Sequence, residues 1–102
     1  MKTVTLCGSM RFEGQMQEIA LKLETRHGMN VLQCVYNPKK TDLTPEDMKA
    51  LAAAHYRKID LSDAIYVVDL DGYIGESVKQ EIAYAEETGK EVFYHSAWSK
   101  KA

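Results

Sequence analysis

A regular alternation of short apolar runs with longer amphipathic stretches constrains this chain more than any other feature. Thr3 to Cys7, Asn30 to Tyr36, residues 64 to 69 and Glu91 to His95 read as strands, with Val, Ile, Thr, Tyr and Phe prominent among them. Three helical stretches lie between these strands. Phe12, Met16, Ile19, Ala20 and Leu23 recur at helical spacing from Met10 to about His27, and Gly28 is a suitable C-terminal stop. Thr44-Pro45-Glu46-Asp47 supplies an N-cap, a first-turn proline and first-turn acids for a second helix running to about Leu61. Met48, Leu51, Ala52, His55 and Ile59 share its apolar face. The third helix follows Asp71-Gly72-Tyr73-Ile74-Gly75 and runs to Gly89, with Ser77 and Gln80 placed to form a capping box. The order β-α-β-α-β-α-β predicts a doubly wound, flavodoxin- or Rossmann-like α/β fold. Its four-stranded parallel sheet has the order 2-1-3-4 and helices on both faces. In such a sheet ligands bind beyond the carboxyl ends of strands one and three, where the order reverses.

The length of 102 residues fits one domain spanning residues 1–102, and 45% hydrophobic with 27% charged residues suits a folded chain. A net charge of −2 argues against a nucleic-acid polymer as partner. The longest apolar runs are far too short to span a membrane, and the N-terminal strand is too short for a signal-peptide core, so a cytoplasmic protein is expected. Cys7 and Cys34 lack metal-ligand spacing, and three scattered His residues do not complete a zinc set. Two reduced core thiols and no metal or cofactor are the expectation. The tail from Ser96 is polar and basic apart from Trp98, which together with two open sheet edges suggests a homo-oligomer.

Two loops at the expected switch point carry residues suited to chemistry. In Cys7-Gly8-Ser9-Met10-Arg11, Gly8 allows a tight turn, Ser9 can cap the following helix or bind an anion, and Arg11 can grip a phosphate or carboxylate with its fork. The same residues would also serve a plain capped turn with a surface Arg. In the loop after strand three, the carboxylates of Asp69 and Asp71 are placed to accept hydrogen bonds from sugar hydroxyls, with Gly72 between them and the helix. Glu81, between Val78 and Ala85 on that helix, is partly shielded and suits nucleophilic or acid/base work on a glycosidic carbon. A surface ion pair for Glu81 and turn-capping roles for the aspartates are the structural alternative. Tyr36, ending strand two, either faces the same cleft or packs. His55 reads as a hydrogen-bonded core or rim residue.

Taken together, the two loops resemble the nucleoside 2-deoxyribosyltransferase superfamily, over nearly the whole chain. The resemblance rests on Leu6-Cys7-Gly8-Ser9-Met10-Arg11, on Val68-Asp69-Leu70-Asp71-Gly72, and on Gln80-Glu81-Ile82-Ala83-Tyr84-Ala85 followed by Gly89-Lys90-Glu91-Val92. The wording Gly72-Tyr73-Ile74-Gly75-Glu76-Ser77 is similar to a short branch of the superfamily. The resemblance implies binding of a nucleoside or nucleoside monophosphate, with Gly8, Ser9 and Arg11 in a 5′-phosphate loop. It further implies that Glu81 is a nucleophile forming a glycosyl-enzyme, and that the protein is a homo-oligomer whose sites borrow groups from a neighbouring subunit. Three positions depart from the pattern: Gly75 stands where transferases carry an Asp, Thr5 where the nucleotide-hydrolysing branch carries an aromatic, and His55 near an expected helix-two Asp. The resulting expectation is N-glycosidic bond cleavage or 2-deoxyribosyl transfer through a glutamate. The alternatives are a non-catalytic nucleotide-binding module on the same fold and a domain serving only structure or partner binding.

Overall fold

A computed structural model describes residues 1–98. Its elements are β1 (Thr3–Gly8), a 3-10 turn (Met10–Phe12), α1 (Glu13–His27), β2 (Asn30–Leu32), α2 (Pro45–Leu61), β3 (Ala64–Val68), a second 3-10 turn (Leu70–Gly72), α3 (Glu76–Glu87), β4 (Glu91–Tyr94) and α4 (His95–Trp98). The four strands form one parallel sheet in the order β2-β1-β3-β4. This is the doubly wound α/β arrangement that the alternating pattern predicts.

Strand periodicity divides the core in two. Val4 and Leu6 of β1 and Ala64, Tyr66 and Val68 of β3 pack on one face against Met16, Ala20 and Leu23 of α1. Cys7, Ile65 and Val67 point to the other face, against Ile59 of α2 and Val78 and Ala85 of α3. Alternate side chains of one strand thus enter different cores. β3 is buried along its whole length, as a central parallel strand covered on both faces should be.

Local chemistry sets the element ends. Gly28 closes α1 in the left-handed conformation at φ 64°. Thr44 and Asp47 form a reciprocal capping box at the start of α2, behind the first-turn Pro45. α3 departs from expectation: Gly75 is its N-cap and no side chain caps it, because Ser77 falls inside the first turn rather than before it. β2 is also shorter than the sequence suggests. Only Asn30–Leu32 pair with Thr3–Thr5, and β2 is an edge strand with one neighbour, so nothing holds the following residues in the ladder. Val35 is exposed, and Asn37 instead organises a turn by bonding both the N–H and the carbonyl of Thr41.

α2 is likewise less embedded than its apolar pattern implies. Its 17 residues span about 26 Å, longer than the strands beneath. His55 and Ile59 are its buried residues, whereas Met48, Leu51 and Ala52 are exposed. β4 ends one residue early, and His95 opens the short helix α4 instead of extending the strand. Among the described residues no helix is long and apolar enough to cross a membrane.

Candidate functional site

The reversal of strand order between β1 and β3 leaves a cleft of about 330 Å³ at their carboxyl ends, a volume at the small end of ligand pockets. Gly8, Ser9 and Met10 form one wall, and Tyr73, Gly75, Glu76 and Ser77 form the opposite one. Glu81 enters from α3, His55 from α2 and Cys34 from the segment after β2. Gly8, Ser9 and Glu81, separated by some seventy residues of sequence, therefore share one cleft.

Three elements converge beside it. Cys7 points to the α2/α3 face because Leu6 points to the other. α2 then lays His55 over the thiol, and α3 brings Glu81 one turn inside its N-terminus. His55 Nε2 lies 3.2 Å from Glu81 Oε1 and 3.5 Å from Cys7 Sγ. The side chains of His55 and Glu81 are only 11% and 14% exposed. His55 Nδ1 is buried without a hydrogen-bond partner. Burial, then the negative charge of Glu81, pushes the Cys7 thiol well above the ordinary range. Burial likewise raises the Cys34 thiol, with Lys58 working against it and Glu81 adding to it. Tyr56, next to His55 in sequence, is raised by burial and then by Glu81. One carboxylate thus contributes, after burial, to the shifts of three neighbours.

Gly8 earns its place by close approach rather than by turning. It ends β1, and a Cβ there would lie 3.0 Å from Met16 Sδ and 3.1 Å from Val68 Cβ. Ser9 precedes a 3-10 turn rather than α1 itself, and its hydroxyl accepts a long 3.4 Å hydrogen bond from the Arg11 N–H. Arg11 is exposed at the rim, its guanidinium carbon 3.8 Å from the centre of the Tyr73 ring. It lines the neighbouring depression with Lys40 and Asn37 rather than the Glu81 cleft.

The remaining predicted site residues lie elsewhere. Asp69 is buried, and its two oxygens accept hydrogen bonds from the Ser96 N–H at 2.8 Å and the Ser96 hydroxyl at 2.6 Å. It fastens α4 instead of facing the cleft. Asp71 and Gly72 occupy consecutive left-handed conformations, φ 55° and 76°, in the exposed turn after β3. Neither lines the cleft. Tyr36 hydroxyl donates to Gln33 Oε1, and the ring lines a depression over α1. Trp98, expected at a subunit contact, packs inside the chain against His27 and Tyr66.

Sequence reasoning missed the parts that α2 and the post-β2 segment contribute. His55 had a usable signal, since a titratable residue four positions before the buried Ile59 must lie over the sheet. Cys34 had none, because its position depends on where β2 stops. The bond from Ser96 to Asp69 spans 27 residues and leaves no local trace. Compared with known proteins, the chain matches no family model, no curated protein and no solved structure.

Proposed function

We propose that the cleft binds a nucleoside or nucleoside monophosphate and that Glu81 attacks its anomeric carbon, giving N-glycosidic bond cleavage or 2-deoxyribosyl transfer. The observation that carries this reading is the placement of Glu81. Its carboxylate lies in the wall of a small cleft opposite the Gly8-Ser9 turn, with one oxygen held by His55 Nε2. In the reaction, a Glu81 oxygen forms the C–O bond as the C–N bond breaks, and the base leaves with that electron pair and takes up a proton. Water or a second base then displaces Glu81 and restores its carboxylate. The resemblance to nucleoside 2-deoxyribosyltransferases points the same way.

Phosphate would find two groups of donors here. The first turn of α3 opens at Gly75-Glu76-Ser77 on the cleft wall without a side-chain cap, so its free N–H groups are available to an anion. Arg11 would leave the Tyr73 ring and close from the rim.

A second reading, nucleotide binding without catalysis, is favoured by the location of Asp69 and Asp71 outside the cleft, which leaves no second carboxylate beside Glu81 to hold sugar hydroxyls except Glu76. One experiment separates the two. Nucleosides and their monophosphates are incubated with wild type and Glu81→Gln, free base is measured by chromatography, and ligand-dependent melting is recorded in parallel. Base release by wild type and none by Glu81→Gln supports catalysis. Binding without release by either supports the module, and comparable release by both refutes Glu81 as nucleophile.

A further inference from the structure

Cys7, His55 and Glu81 each present one metal-ligating atom, and those atoms all lie within 4.8 Å of one another. A tetrahedral Zn²⁺ with sulfur at about 2.3 Å and nitrogen or oxygen at about 2.0–2.1 Å requires S···N near about 3.5 Å and N···O near about 3.3 Å. The observed separations are 3.5 Å and 3.2 Å. We infer that this trio is a three-ligand site for a Zn²⁺-class ion, built from Cys7 Sγ, His55 Nε2 and a Glu81 carboxylate oxygen, with its fourth position open to the cleft.

The donor set selects the ion. One thiolate, one imidazole and one carboxylate match the borderline character of Zn²⁺, whereas Mg²⁺ and Ca²⁺ call for oxygen ligands throughout. Three protein ligands and one open position facing a cavity are also the pattern of zinc sites that take water or substrate. An ion at the centre would touch all three groups together. On binding, the Cys7 thiol loses its proton to solvent, Glu81 binds ionised, and His55 binds through the Nε2 lone pair with its proton on Nδ1. Sequence spacing hides the site, because the ligands come from β1, α2 and α3.

The inference does not depend on the nucleotide reading. It does constrain it, because a bound ion and a glycosyl group would compete for Glu81.

The test uses the full chain, Zn²⁺ in competition with a chromogenic chelator, and Co²⁺ as a spectroscopic substitute. One ion per chain is expected, with a thiolate-to-Co²⁺ charge-transfer band in the near ultraviolet and the visible bands of a four-coordinate ion. Cys7→Ser should remove the charge-transfer band. His55→Gln and Glu81→Gln, whose positions at the cleft wall tolerate near-isosteric change, should each weaken Zn²⁺ by at least about tenfold. Cys34→Ser should leave binding intact. Failure to bind one ion, a band that follows Cys34 instead of Cys7, or affinity indifferent to both His55→Gln and Glu81→Gln would overturn the site. Base release measured in excess chelator reports on the nucleotide reading alone, so either inference can fail without the other.

Discussion

Replacing Asp69 by Ala separates two incompatible roles for that residue. By position in the sequence it is expected to accept hydrogen bonds from sugar hydroxyls, but in the structure both its oxygens are occupied by Ser96, with bonds of 2.8 and 2.6 Å. Hydrogen bonds to an ionised acceptor contribute about 1.5–3 kcal/mol each. Ser96 is exposed and can turn to water once released, so the net loss should be about 2–3 kcal/mol rather than the sum. For a domain of this size that corresponds to a fall in Tm of roughly 10–20 °C. The lost contacts anchor α4, which carries Trp98, the chain's single tryptophan, against Tyr66 and His27. Trp98 fluorescence should therefore shift to longer wavelength below the main transition as α4 detaches. Asp69→Asn, which keeps one acceptor, should lose about half as much. If Asp69→Ala left Tm and emission unchanged but removed stabilisation by nucleotides, the fastening role would be wrong and the carboxylate would be a ligand group.

Four other outcomes are expected. Gly8→Ala should cost about 1–3 kcal/mol in urea denaturation, because Met16 can swing away from the new methyl group but the Val68 Cβ, fixed to β3, cannot; an unchanged midpoint would refute this packing. A thiol reagent at neutral pH should label native protein slowly and at Cys34 alone, with Cys7 reacting only after denaturation, since both thiols are raised and Cys7 is buried. Stability should fall as pH drops below about 6.5 in a manner that His95→Gln flattens: burial, aided by Lys22 and opposed by Asp69, lowers the His95 pKa, so the unfolded chain takes up the proton first and the contribution present above that pH is lost beneath it. The Tyr66 hydroxyl, pushed up to about 12 mainly by burial, is hydrogen-bonded to His95 Nδ1 at 2.7 Å. Self-association through the exposed Met48 and Leu51 of α2 is expected and should be abolished by Met48→Glu with Leu51→Glu; sedimentation showing only an 11.5 kDa species in wild type would count against it.

Local and periodic features were legible from the sequence, and features that depend on where an element stops were not. The order 2-1-3-4 follows from alternation and handedness, and Gly28 and Thr44 mark their helix ends by residue chemistry alone. β2 was overestimated because Gln33 to Tyr36 has strand composition but no partner strand beyond Leu32. That one difference displaces Tyr36 to the α1 side and leaves Cys34 at the cleft. Within the site, Gly8, Ser9 and Glu81 could be placed because each lies on a loop or helix start beside a strand end. Asp69 shared that address, but the residue just after a central strand can turn to either face, and Ser96 fixed which one.

The two faces of the sheet put their polar groups to different uses. On the α1 side, two pairs, Tyr66 with His95 and Asp69 with Ser96, anchor a terminal helix. On the α2/α3 side, Cys7, His55 and Glu81 form a trio in which the thiol is raised by its surroundings and His55 Nδ1 has no partner. Buried polar groups without full satisfaction cost stability, and apolar side chains of similar volume would fill the same space at no such cost. The first set explains itself by the helix it secures. The second leaves a buried ring nitrogen of His55 without a partner. Local violations of this kind concentrate where a protein handles a ligand, and this one lies at the strand-order reversal, the position in an open parallel sheet where ligands bind. That coincidence of a trio holding one unpaired buried nitrogen with the topological switch point is why we place the chemistry at Glu81 rather than in the larger cavity of about 460 Å³ beside Trp98.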